Sequence, residues 1–348
     1  MRFLVLLSIF VKLVASQISF KSCTFNEICV SIQDCPTYQG YSSLPFRNWP
    51  QDVQKLAKSN LCNNEMINRT PVLSVCCPSP LNSRRCGIQT DDDRIVAKGT
   101  VANVFEFPWM VLLYSRTERF VCGGTLVSAR YVLTAGHCVN SEESKIISVR
   151  VGENDINQPI DCNVDDGEPD CAPAPQDINV EQIIRHPGHS DRSKKNDIAL
   201  LRLERPAVLG RSVIPICLPN GSPEQRIVNP SFLVVSGWGL TENGTSFDVL
   251  RYARVPPVSL EDCGIKLRGL DATLRLDQSQ ICAGGVDQID NCAGDSGGPL
   301  QIISNQSSRY IQYGVVSYGL KSCGVQDEPG VYTNVAYYMK WIFQNVLE

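Results

Sequence analysis

Histidine is scarce in this chain. There are three, His137, His186 and His189, and none stands in an HExxH pair. No C-x-x-C pair is present either. Those two absences argue against a fold built on zinc. His186 and His189 sit in a Pro/Gly stretch and read as surface residues rather than metal ligands. An excess of one charge is lacking as well. The net charge is −4, from 32 basic and 36 acidic residues, which predicts neither a nucleic-acid nor a membrane partner. Long apolar runs are missing beyond the N-terminus. There, Arg2 precedes an apolar run from Phe3 to Ala15, broken by Ser8 and Lys12. Val14-Ala15-Ser16 supplies small residues before Gln17. The run is too short to cross a bilayer and reads as a secretory signal peptide over residues 1–16. The mature chain is expected to be secreted, extracellular and soluble.

Cysteine is abundant. Sixteen in a secreted chain read as disulfides. Six of them, Cys23, Cys29, Cys35, Cys62, Cys76 and Cys77, crowd one short segment that needs cross-links because it cannot bury a large core. Six cysteines allow fifteen pairings, and spacing alone does not choose among them. The length suggests about two domains. Between them, residues 79–94 are polar and end in Asp91-Asp92-Asp93-Arg94, an exposed stretch open to proteolysis.

The chemistry lies downstream. Leu133-Thr-Ala-Gly-His-Cys138 supplies His137, Asn196-Asp-Ile-Ala-Leu200 supplies Asp197, and Gly294-Asp-Ser-Gly-Gly-Pro299 supplies Ser296. A serine hydroxyl is a poor nucleophile unless an imidazole takes its proton and a carboxylate orients that imidazole. The order His…Asp…Ser is that of chymotrypsin-like proteases, not of subtilisins or α/β-hydrolases. Residues 95–348 resemble that family. The cysteine run Cys23-x5-Cys29-x5-Cys35, with Cys76-Cys77-Pro78, resembles the clip domain of arthropod serine proteases, over residues 17–78.

The resemblance implies an all-β fold of two six-stranded antiparallel barrels with the active site between them, after a small disulfide-knotted clip domain. Short β-rich segments agree with this: Trp109–Tyr114, Tyr131–Thr134, Ser148–Val151, Ile198–Leu203, Phe232–Ser236, Tyr310–Val316 and Gly330–Thr333. Val335, Met339, Ile342, Phe343 and Val346 follow helical spacing and predict a C-terminal helix packed on the second barrel. The resemblance also implies the pairings Cys23–Cys76, Cys29–Cys62, Cys35–Cys77, Cys86–Cys217, Cys122–Cys138, Cys162–Cys171, Cys263–Cys282 and Cys292–Cys323. The Cys86–Cys217 bond would hold the two chains together after a cut in the linker.

By the same resemblance, the backbone N–H groups of Gly294 and Ser296 form the oxyanion hole. Asp290 floors a specificity pocket whose glycine walls, Gly319 and Gly330, leave room for Arg or Lys. Arg94-Ile95 is the activation junction. After cleavage the Ile95 ammonium would pair with Asp295 and order the site. Gly136 departs from the alanine usual before the histidine, Asn291 from a small neighbour of the pocket aspartate, and Ala97-Lys98-Gly99 from Val-Gly-Gly. The acidic loop from Glu153 to Asp170 either binds calcium through oxygens or is simply solvated; it fails the EF-hand pattern because Asp166 stands where glycine is needed. Four sequons, at Asn68, Asn220, Asn243 and Asn305, are glycosylation candidates.

The expected function is a trypsin-like endopeptidase zymogen of an extracellular cascade in immunity, melanisation or patterning. It needs no cofactor for catalysis. Its partners would be an upstream activating protease, a protein precursor as substrate and, by family analogy, serpin inhibitors. The alternative is a non-catalytic clip-domain binding or cofactor protein. Such proteins lose the nucleophile, whereas Ser296 is present.

Overall fold

A computed structural model describes residues 20–24, 27–38, 40–41, 44–67, 70–89, 100–116, 120–140, 145–165, 167–220, 230–239, 248–268, 274–285, 296–319 and 328–346. The expected signal peptide, Arg94, Ile95, Asp290, Gly294, Asp295, the Cys292–Cys323 pair, Asn68 and Asn243 lie outside these residues. The chain divides into two compact units: Met1–Ser79 with Asn220–Pro223, and Pro80–Pro219 with Glu224–Glu348.

The first unit is a three-stranded antiparallel sheet in the order β1-β3-β2, with β1 Glu27–Ser31, β2 Leu61–Ile67 and β3 Thr70–Pro78. One helix, α1 Gln51–Ser59, precedes β2. Little apolar surface is available here, so disulfides replace core. Cys23–Cys76, Cys29–Cys62 and Cys35–Cys77 are bonded, and each closes a loop whose freedom the unfolded chain would otherwise keep. Tyr38 and Trp49 stack beside them with ring centroids 5.9 Å apart.

The second unit opens with a two-residue strand, β4 Thr100–Val101. A closed barrel follows in the order β11-β12-β7-β6-β5-β8. Its strands are β5 Met110–Ser115, β6 Cys122–Ser128, β7 Tyr131–Thr134, β8 Ile146–Val151, β11 Gln176–Arg185 and β12 Ala199–Leu203. A small hairpin, β9 Cys162–Asp165 and β10 Glu168–Cys171, stands apart from the barrel sheet. β5, β6, β7 and β12 are buried along nearly their whole length. Both of their faces meet protein, which is why these segments read as apolar runs rather than alternating ones.

A second antiparallel sheet has the order β15-β16-β19-β18-β17-β13-β14-β4. It contains β13 Leu233–Gly237, β14 Arg251–Val255, β15 Pro257–Val258, β16 Gln280–Ala283, β17 Pro299–Ile303, β18 Tyr310–Tyr318 and β19 Gly330–Asn334. The two-residue strands β4 and β15 form its edges, leaving six longer strands between them. Leu233, Val235, Val255, Leu300, Val316 and Tyr332 pack as its core. Helix α2, Leu260–Arg268, is tied to β16 by Cys263–Cys282. Helix α3, Val335–Asn345, follows β19 and buries Val335, Tyr338, Met339, Ile342 and Phe343. The helical spacing read from the sequence thus corresponds to one packed face.

A buried polar bridge joins the two sheets. Gln301, on β17, accepts a hydrogen bond from Trp109 Nε1 at 2.7 Å and donates to Ser236 Oγ on β13 at 3.0 Å. Both partners are satisfied without water, so the bridge fixes register at little desolvation cost.

Candidate active site

His137 lies on a single helical turn, Gly136–Val139, directly after β7. The neighbouring Cys138 is bonded to Cys122 at the start of β6, which pins the turn to the barrel. Asp197 precedes β12 and is 1 % exposed. Asn196 holds a left-handed backbone with φ of 53°, and its side chain anchors that bend, accepting from Tyr338 Oη at 2.8 Å and donating to Gly188 O at 2.7 Å.

The two residues meet twice. His137 N donates to Asp197 Oδ1 at 2.8 Å, and His137 Nδ1 lies 2.8 Å from Oδ2. An ionised carboxylate can only accept, so Nδ1 carries a proton and Nε2 presents a lone pair. Ser317 Oγ adds a third bond to Oδ2 at 2.5 Å, and Thr333 Oγ1 donates to the Asp197 carbonyl at 2.7 Å. Burial works against the Asp197 charge. The His137 side-chain bond and charge, then Ser317 and His137 N, outweigh it and hold the carboxyl below the usual aspartate value. The imidazole itself remains reachable, with its side chain 27 % exposed.

Ser296 is held by its backbone. Its carbonyl accepts Gly123 N at 2.9 Å from β6. Gly297 follows with φ of 82°, and a Cβ there would fall 2.2 Å from Thr134 Oγ1 and 2.4 Å from Gly123 O. Only glycine fits that approach. Gly297 N donates to Val316 O and Val316 N donates to Gly298 O, each at 2.9 Å. The backbone at Ser296 is therefore locked to β18 next to Ser317, and to the β6–β7 pair that leads into the His137 turn.

The trypsin family model matches residues 96–342. A CLIP domain-containing serine protease, HP8, of Bombyx mori is 35% identical, covering 98% of this chain and 97% of that one. The Spaetzle-processing enzyme of Drosophila melanogaster is 37% identical over 95% of this chain and 93% of its own. The crystal structure of the Drosophila Grass clip serine protease of the Toll pathway superposes with a TM-score of 0.69 at 32% identity, covering 93% and 96% of the two chains.

This chain is a clip-domain serine protease of the trypsin family.

As a clip-domain protease it is a serine endopeptidase, and trypsin-family catalysis requires no cofactor. Of the other expected site residues, Gly330 begins β19 opposite Ala283, and Gly319 follows β18. Cys86–Cys217 and Cys162–Cys171 are bonded. Within the acidic loop, Asp170 pairs with the Arg211 guanidinium through bonds of 2.9 and 2.8 Å. The inward carboxylates are Glu153 and Asp161, both buried. Burial, then the charge of Asp161, pushes Glu153 up to about 7 against the pull of Arg150. Burial likewise raises Asp161. The oxygens of these two carboxylates already accept Arg150, Asn154 N and Asp155 N, and no set of three carboxylate ligands gathers there among the described residues, short of the oxygens that calcium takes. The sulfurs near His137, Cys122 and Cys138, are joined in a disulfide and offer no thiolate.

Two residues are more buried than their sequence context implies. Asn220 is 6 % exposed, and its Nδ2, the atom that would carry a glycan, donates to Glu27 O at 3.0 Å and Thr24 O at 3.4 Å. A glycosidic bond there would break that packing. Asn305, by contrast, is exposed on a turn. His189 is not a surface residue, because its side chain is 1 % exposed. Ser317 and Thr333 escaped the sequence reading as supports of Asp197. Ser317 stands two residues before Gly319, yet nothing in the sequence says that β18 runs past the aspartate.

Proposed function

We propose that this clip-domain protease is a secreted zymogen, activated by cleavage after Arg94, that cuts after Arg or Lys in protein precursors of an extracellular cascade. Ser296 is its nucleophile, His137 the general base and then acid, and Asp197 the orienting carboxylate. The observation that carries the reading is the doubly bonded His137–Asp197 pair, which leaves Nε2 free to take a proton.

The steps follow from that tautomer. His137 Nε2 takes the Ser296 hydroxyl proton as Oγ bonds to the scissile carbonyl carbon. The carbonyl oxygen becomes an oxyanion, met by the N–H groups of Gly294 and Ser296. Collapse breaks the C–N bond, and the imidazolium returns the proton to the leaving amine. Water then repeats the sequence on the acyl-enzyme and frees Ser296. Asp290 would meet the substrate cation, with Gly319 and Gly330 leaving room for it. The Ile95 ammonium, once freed, would pair with Asp295.

Family company supports the cascade role: among similar chains are a Spaetzle-processing enzyme and phenoloxidase-activating factor 3 of Holotrichia diomphalia. An upstream protease as activator, and serpins as inhibitors, belong to the same reading. The test is amidolysis of Arg, Lys and Phe peptides by the chain cut after Arg94, with Ser296→Ala and Asp290→Ser alongside. Wild type should cleave only the basic peptides, Ser296→Ala should lose at least about a thousandfold, and Asp290→Ser should lose the basic preference. Equal activity of Ser296→Ala, free of contaminating protease, would overturn the mechanism.

A further inference from the structure

Gly136 and His189 are fitted to each other beside the catalytic aspartate. A Cβ on residue 136 would sit 3.0 Å from His189 Nδ1 and 3.1 Å from Ile198 N. Glycine is what lets this imidazole press against the turn that carries His137. The ring is buried, and its Nδ1 lies 3.7 Å from Asp197 Oδ1. That nitrogen has no hydrogen-bond partner among the described residues. The opposite nitrogen, Nε2, is 3.1 Å from Asp191 Oδ1. A carboxylate only accepts, so Nε2 carries the proton and Nδ1 turns a bare lone pair toward Asp197.

We propose that His189 is a positioning residue for the catalytic pair: a second imidazole aimed at Asp197, which draws that carboxylate's charge away from His137 when Nδ1 gains a proton. The inference rests on Asp197 being the orienting carboxylate.

Among the described residues, Asp197 accepts His137 Nδ1 and Ser317 Oγ on Oδ2, but only His137 N on Oδ1. Oδ1 therefore keeps a lone pair, and His189 faces it. With Nδ1 bare, two lone pairs oppose each other and the whole Asp197 charge supports an imidazolium at His137. A proton on Nδ1 converts the contact into an ion pair in a site poor in water, where charges act strongly. Asp197 then serves two cations, and His137 becomes a weaker base for the Ser296 hydroxyl. The step is proton uptake alone.

Among the described residues, Asp197 faces His189 from the segment that leads into β12. Asp191 and His186 face it from its own loop. Burial, then the His189 charge, holds His186 below the ordinary histidine value. Asp191 is bonded by Asn140, which also accepts Arg185, and Lys194 lies near enough to favour its charge.

The test is kcat/KM of the activated enzyme for an arginine amide from roughly pH 5 to 9. The wild-type acid limb should depart from a simple tenfold fall per pH unit, because a proton on His189 competes with His137 for the charge of Asp197. His189→Gln can still donate to Asp191 but cannot titrate. Its acid limb should fall about tenfold per pH unit, with alkaline activity kept within about threefold. Asp191→Asn alters an exposed side chain, so folding is not at stake, and it removes the carboxylate that favours a charged His189. Its acid limb should move to lower pH. Limbs of both variants that overlay wild type would overturn the proposal, as would an inactive His189→Gln beside an unshifted Asp191→Asn. Asp197→Asn separates the two levels. If it is inactive at every pH while the other limbs overlay, only the His189 role falls; if it matches wild type, the aspartate assignment falls and the proposal with it.

Discussion

Asn82 closes a two-way bond with Leu218: its Oδ1 accepts Leu218 N at 2.7 Å, and its Nδ2 donates to Leu218 O at 2.9 Å. Asn82 is buried and left-handed, with φ of 56°, a backbone state that asparagine tolerates. Around it, Gly87 N donates to Pro215 O at 2.9 Å, Tyr310 N donates to Gly87 O at 2.8 Å, and Arg309 donates to the carbonyls of Cys86 and Arg84, each at 2.7 Å. The segment beside Cys86 is thus knitted to the protease by more than its disulfide.

The tether should therefore outlast its covalent bond. Cys86→Ser, cut after Arg94, should elute as one particle under native conditions and separate on a denaturing, non-reducing gel. Adding Asn82→Ala strands two buried backbone groups, at a cost of about 1–3 kcal/mol each, and should release the light chain natively. Free light chain from Cys86→Ser alone, without denaturant, would contradict this view.

Glycans should follow burial rather than the sequon. Peptide mapping of secreted protein, with and without endoglycosidase, should find sugar at Asn305 and none at Asn220. An occupied Asn220 would mean that its Nδ2 is not bonded to Glu27 O and Thr24 O as described.

Glu153 sets a pH dependence of stability. Its folded pKa is raised to about 7 from 4.5, so the favourable contribution is full below the unfolded value and is lost as pH rises through the folded one. Glu153→Gln cannot ionise. In chelator, Tm of the variant relative to wild type should climb from about pH 5 to 8. A Tm difference that is flat with pH would show that the Glu153–Asp161 pair is not strained.

How much the sequence reveals depends on how local the cause is. His137, Asp197 and Ser296 were legible because each lies inside a motif whose neighbours have their own work: Cys138 pins the turn, Asn196 bends the chain, and Gly297 permits the close approach to Thr134. The strands β7 and β19 were legible because their apolar residues are contiguous and bounded by turns. The burial of Asn220 is not legible in the sequence, because three residues define a sequon whereas Thr24 and Glu27, whose carbonyls its side chain meets, lie far away along the chain. His189 was misread for a similar reason. Its Pro/Gly surroundings suggest a surface loop, while its ring fills space that Gly136 leaves open. Gly136 is a visible departure in the sequence, but only the fold supplies the occupant.

Gly297→Ala should be far worse than an ordinary glycine replacement. The left-handed backbone alone costs an alanine roughly 1–2 kcal/mol, and the Cβ would also overlap Thr134 Oγ1 and Gly123 O. Tm should drop sharply and any secreted protein should be inactive. Thr134→Ala removes one of the two clashing atoms but not Gly123 O, so the double variant should recover stability only in part. A Gly297→Ala protein with wild-type Tm would refute the packing beside Ser296.

The most direct measurement of the central claim is labelling by a serine-directed phosphonate, read by peptide mass. The chain cut after Arg94 should take up one adduct per molecule, on the peptide bearing Ser296, in step with loss of amidolysis. His137→Ala and the uncut chain should label at least about a hundredfold more slowly. Complete inactivation with the adduct elsewhere, or full peptidase activity in a protein that never labels at Ser296, would contradict the account.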